Sequence, residues 1–199
     1  KELIKPLTIN GESWRIQNSE LTIQNMTKLE LPDNKFSIFA DAVVSRVGRT
    51  ASWIWVILLS IIILNVTLRY LFSEGRIEFE EMQWHLNSIA FLIAIAYAHR
   101  HDVHIRIDLI SVRLSHRSQA WIELYGTMLL LVPFLVMVLI FSFPFVEKSW
   151  QVGEISQSPG GLPYRWLLKA VIPFSFFLLG LSILSRFSKL MTYLAGSRT

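Results

Sequence analysis

The segment HRHDVHIRID, residues 99–108, sets His99, His101, His104 and Asp102 beside Arg100 and Arg106. Imidazoles and carboxylates are ligand types for zinc or copper, and a structural zinc site closes about four of them in tetrahedral geometry. On a helix, positions 99 and 101 face different ways, so His99 and His101 do not converge on one ion. Histidines beside arginines at the end of an apolar run are more often solvated. His104 and Asp108 stand i to i+4, side by side if the segment is helical. A hydrogen bond fixing the local loop is the simplest chemistry for that pair. Haem ligation needs imidazoles facing each other across a bundle interior. Only His85 falls within an apolar run, near one end, so that reading fails.

A second group joins Arg69 and Tyr70 to the acidic stretch EFEE, residues 78–81. An arginine in the last turn of a membrane span is costly unless it snorkels or finds a partner. Glu80 and Glu81 open the next apolar segment on the same side, so an Arg69–Glu80 or Arg69–Glu81 pair is easy to form. Carboxylates there also gain from the helix dipole. A clamp on the hairpin is the favoured reading over a substrate or ion gate. Lys169, a little inside the last apolar run, either snorkels or pairs with Glu147 or with a partner protein.

These residues hang on long apolar runs. Hydrophobic residues make up 52% of the 199-residue chain and charged ones 17%, and cysteine is absent, which excludes disulfides and thiolate metal sites. A bilayer core takes about 20 helical residues. The expected architecture is an all-α integral membrane protein with four transmembrane helices, spanning about 52–72, 82–98, 120–146 and 166–187 within a membrane domain at 52–190. Pro133 and Pro144 fall inside the third. Trp and Tyr residues gather near the span ends, as an aromatic belt requires. Residues 191–199 form a short tail.

Ahead of the first span, Phe36, Phe39, Ala40, Val43, Val44, Val47 and Ala51 recur at helical spacing, with Asp41, Ser45, Arg46 and Arg49 off that stripe. Residues 35–51 are therefore expected to be an amphipathic interfacial helix. Residues 1–34 read as a polar cytoplasmic tail, with no apolar region of signal-peptide type. Lys and Arg counted near the spans place both termini inside. Lys35, Arg46, Arg49, Arg100, Arg106, Arg113, Arg117, Arg186, Lys189 and Arg198 fall on one side. Only Arg76, Lys148 and Arg165 face six glutamates on the other. Arg46, Arg49, Arg100, Arg106 and Arg113 are candidates for lipid headgroup contact. The basic balance thus points to membrane lipid and away from nucleic acid.

NVTLRYLF closing the first span, EE opening the second, HDVHIRID after it and SPGGLPYRWLLKAVIP leading into the fourth form an ordered set. Over roughly residues 36–190 the chain resembles the small, DctQ-like membrane subunit of tripartite ATP-independent periplasmic (TRAP) transporters. The resemblance implies that Arg69, Tyr70, Glu81, His104, Ile105 and Asp108 occupy family-typical positions without a catalytic role. It implies a bacterial inner-membrane location, a large transport subunit and a periplasmic solute-binding protein as partners, and no cofactor. It also implies a secondary, sodium-coupled system for small carboxylate-bearing solutes, whose ion and substrate sites lie in the large subunit.

The residues agree on that last point, because mid-span acids, paired broken helices and inverted repeats are all missing. Other classes fit less well. A voltage sensor would carry arginine through Val171 to Leu184, and a small exporter would carry a glutamate in the first span. A four-helix membrane enzyme or metal-binding protein would have only the His99, His101 and His104 cluster to work with.

Overall fold

A computed structural model describes residues 31–73, 75–101, 114–158 and 160–196. The described residues form helices and no strand: α1 (Lys35–Ala51), α2 (Trp53–Phe72), α3 (Ile77–Arg100), α4 (His116–Gly126), a π-helical turn (Thr127–Leu131), α5 (Val132–Gln151) and α6 (Arg165–Gly196). Only Ser52, itself in helical conformation, separates α1 from α2. Among the described residues, three helical stretches are long and apolar enough to cross a membrane: Lys35–Phe72, His116–Gln151 and Arg165–Gly196. At 24 residues α3 is long enough to span, roughly 36 Å, but it is less apolar. Glu78, Glu80, Glu81, Gln83, His85 and Asn87 crowd its first half.

Local chemistry explains the helix ends. Asn34 caps α1 in a reciprocal box: its Oδ1 accepts from the Ser37 amide at 2.7 Å, and its own amide donates to Ser37 Oγ at 2.9 Å. Ser115 caps α4 by accepting from the Ser118 amide. Ser73 ends α2 in the left-handed conformation. The π turn, where the Val132 amide reaches back to the Thr127 carbonyl, lies just before Pro133. Proline has no N–H to give and crowds the preceding turn, so a locally widened helix absorbs it.

The long helix α6 is the hub and packs on α3, α5 and α1. Val44, Ala96, Leu135, Leu178, Leu179 and Ile183 form the main core. Ala120 and Leu124 of α4 meet Leu190 and Leu194 of α6 in a second cluster. Ser175, Ser182 and Ser185 are buried along α6, so small side chains let its neighbours approach closely. By contrast α2 lies mainly along α3 and buries only Leu58 and Asn65.

The buried face of α1 differs from the expected apolar stripe. Ala40, Val44 and Ala51 are buried as expected, but Phe36 and Phe39 are 46% and 66% exposed, and Ser37 is fully buried. Asp41, expected off the stripe, is half-buried, because Lys189 and Ser185 of α6 satisfy its carboxylate at 2.7 and 2.6 Å. Paired charge and hydrogen bonding offset the cost of bringing a carboxylate inside.

Candidate functional site

The α2–α3 turn and the α5–α6 loop share one end of the bundle, and most of the singled-out charges meet there. Arg69, in the last turn of α2, pairs with Glu80 on the first turn of α3. Glu81 turns the other way, toward the α5–α6 loop. It accepts from Ser156 Oγ, and from the Leu162 amide at 2.6 Å. His85, one turn on, donates from Nδ1 to the Glu81 carbonyl at 2.6 Å. The Ser156 and Leu162 hydrogen bonds together hold the Glu81 carboxyl below its ordinary range.

The approach is close because Gly161 has no side chain. A Cβ there would lie 2.8 Å from Glu81 Oε1 and 2.5 Å from Ser156 Cβ. Gly160 and Tyr164 have positive φ, 77° and 64°, so the loop doubles back tightly on itself. Its own backbone closes where the Ser156 amide donates to the Leu162 carbonyl at 3.2 Å.

Lys169 finds Glu154 at the near end of the same loop and lies 4.0 Å over the Phe145 ring. Arg165 stands 3.9 Å from the same carboxylate, and its amide donates to the Glu154 carbonyl. The hydrogen bond from Lys169 is the main cause of the lowered Glu154 pKa. The expected Lys169–Glu147 pair is thus replaced, and Glu147 accepts from Gln151 one turn away. Trp150 and Trp166 meet edge to face across the base of the loop, with ring centres 4.3 Å apart. Tyr70 points outward and is 81% exposed.

At the opposite end, Lys189 bridges Asp33 and Asp41, each at 2.7 Å. Arg100 approaches Asp41 at 3.9 Å and donates to His101 Nε2 at 3.0 Å. Arg186 grips Glu123 of α4 with two nitrogens. Gly48 of α1 seats the Tyr97 ring of α3, which a Cβ would overlap.

The histidines part company here. His99 Nδ1 hydrogen-bonds Ser182 Oγ of α6 at 2.8 Å, whereas His101 leans on Tyr97 with ring centres 4.3 Å apart. Among the described residues, no three His, Asp or Glu side chains gather as a metal site. His104, Asp108, Arg106 and Arg113 lie outside the described residues. Arg46 and Arg49 are exposed on α1, while Arg100 is half-buried beside Asp41 and faces protein on that side.

The structure therefore joins Arg69 to Glu80, and Glu81 and Lys169 to the α5–α6 loop, as two adjacent cross-ties. Sequence reading missed the loop partners Ser156, Leu162 and Glu154, and the Asp41–Lys189 tie. The second had a faint signal, since Ser185 and Lys189 repeat at i and i+4 on α6 as Ser37 and Asp41 do on α1. Leu162 had none, because a backbone amide carries no residue type, and nothing in the spacing of Ser156 or Glu154 ties either to its partner on another helix.

Residues 58–192 match the family described as Tripartite ATP-independent periplasmic transporters, DctQ component. The chain belongs to this family. The match starts in α2 and ends in α6, so it takes in every helix above except α1. It contains both cross-ties. A comparison with curated proteins finds no match. The DctQ component is a transporter part, the small subunit of a TRAP system, and such systems also use a large membrane subunit and a solute-binding protein.

Proposed function

We propose that this DctQ component is a non-catalytic scaffold: it braces the large transport subunit in the membrane and helps dock the periplasmic solute-binding protein. The family match over residues 58–192 carries the reading. A carrier that moves its substrate needs a fixed reference, and the cross-tied end of the bundle supplies a rigid one. Glu81, Ser156, Leu162, Glu154 and Lys169 hold the α5–α6 loop to α3 and α6 at several points. Exposed Tyr70, Trp150, Ile155 and Tyr164 surround that end and offer contact area.

On this reading residues 82–98 of α3 form a further membrane span, the second of four in chain order, both termini face the cytoplasm, and the cross-tied loops face the periplasm. The charge asymmetry of the loops supports that orientation. Exposed Arg46 and Arg49, with exposed Phe36 and Phe39, suit α1 to the inner-leaflet boundary. The system is a sodium-coupled importer of small carboxylate-bearing solutes, with its ion and solute sites in the large subunit.

The test removes this chain from the three-part system in reconstituted vesicles. Uptake is expected to stop while the isolated binding protein keeps its solute affinity. Uptake at the full rate without the chain would overturn the scaffold role.

A further inference from the structure

Between α2 and α3 runs a groove of about 520 Å³. Leu58, Ile62 and Val66 form its apolar wall, and Asn65, Gln83 and Asn87 give it a polar floor. Asn65 is only 7% exposed, yet its Oδ1 accepts no hydrogen bond, and Gln83 Nε2 is likewise buried and donates to nothing. One is an acceptor on α2 and the other a donor on α3, and both residues line the one groove. Orphaned amides within hydrocarbon cost several kcal/mol each. Acyl chains cannot repay that cost.

We propose that this groove seats a transmembrane helix of the large membrane subunit, which presents a hydrogen-bonding side chain to Asn65 and Gln83. The proposal rests on the scaffold reading above and names the face of the bundle that does the bracing. The groove is far larger than a bridging water, whose share of liquid volume is about 30 Å³. Lipid headgroups are also poorly placed. Asn65 lies roughly 10 Å along the axis from the end of α2, and Arg69, one turn nearer that end, is already neutralised by Glu80. A polar side chain on a neighbouring helix has the chemistry to pair with both amides.

The packing of α2 points the same way. It buries only Leu58 and Asn65 within the chain, so most of its surface is free for another protein. The outer face of α5 is exposed too, with Phe134, Met137, Ile140 and Phe141, but it is apolar and lipid satisfies it completely.

The chain has no cysteine, so single substitutions give clean attachment points. Ile62→Cys on the groove and Phe141→Cys on α5 are labelled with a benzophenone maleimide in the assembled transporter and photolysed in native membranes. The expected result is an adduct between the Ile62→Cys chain and the large subunit, identified by mass spectrometry, with lipid adducts from Phe141→Cys. Lipid adducts alone from Ile62→Cys would overturn the proposal.

Asn65→Leu supplies the second readout. Association with the large subunit should weaken about threefold to thirtyfold, as loss of an interhelical hydrogen bond predicts, while the isolated chain melts no lower than wild type. A lower melting point with unchanged association would assign Asn65 to internal packing and sink the idea. If the unmodified chain brings down no large subunit at all, the scaffold reading itself fails. A large subunit that is present but crosslinks only through α5 defeats the groove alone.

Discussion

Glu81 concentrates the chemistry of the cross-tied end in one carboxylate. Its Oε1 takes the Ser156 hydroxyl and its Oε2 the Leu162 amide, while its neighbour Glu80 takes Arg69. Sequence reading left Glu80 and Glu81 interchangeable as partners of Arg69. Consecutive helical positions point about 100° apart, so only one of them can face α2. Both the Glu81 and Glu154 pKa values are lowered, which means folding favours their ionised forms. Their stabilisation is present above the ordinary carboxylate value of 4.5 and is lost as pH falls through the lowered folded values. The melting temperature should therefore hold steady from neutral pH down to the ordinary carboxylate range and then fall. In Glu81→Gln the fall should be shallower, and amide exchange across 156–164 should be faster already at neutral pH. Unchanged exchange in that variant would show that the loop holds itself. Gly161→Ala is expected to cost about 1–3 kcal/mol through overpacking against Ser156 and Glu81, read as a lower melting temperature in detergent. A neutral effect would mean that the loop yields freely.

Among the elements, the long apolar runs were legible because hydropathy is a local property. The expected first and last spans fall on α2 and α6, and the expected third, 120–146, runs through α4, the π turn and α5. The ends extend further than the apolar runs. Helix α3 starts at Ile77, before its first apolar stretch, because Glu78 and Glu80 favour a helix N-terminus. Helix α4, which opens the expected third span, begins at His116 behind its Ser115 cap. What periodicity could not deliver was the face that α1 buries. Of its expected stripe, Ala40, Val44 and Ala51 are buried and Val43 and Val47 pack half-buried against the core, yet Phe36 and Phe39 stay outside and Ser37 goes in. That choice is made by α6, which brings Ser185 and Lys189 to Asp41 from far along the chain. Asp41→Asn should then destabilise the chain by about 1–3 kcal/mol and loosen α1 from α6, seen as protease sensitivity near Ser52. A variant as stable as wild type would return α1 to a purely apolar attachment.

For the molecule as a whole, the distribution of burial is lopsided. Core residues cluster on α6 and its neighbours, whereas α2 and the outer face of α5 remain largely open. A soluble protein would not tolerate apolar exposure on this scale. A membrane subunit does, and one that works inside an assembly shares part of it with a partner. The family was readable from the order of short motifs along residues 36–190, which the match over 58–192 bears out. The groove between α2 and α3 was not readable, because Asn65 and Gln83 become a matched pair only when the hairpin folds. The decisive measurement is to purify this chain, tagged at its C-terminus, from its native membrane in mild detergent and to weigh its stoichiometric companions by mass spectrometry. The account predicts one large polytopic membrane protein in equal amount. A chain that purifies alone, and above all one that carries a metal or haem, would contradict it and return attention to His99, His101 and His104.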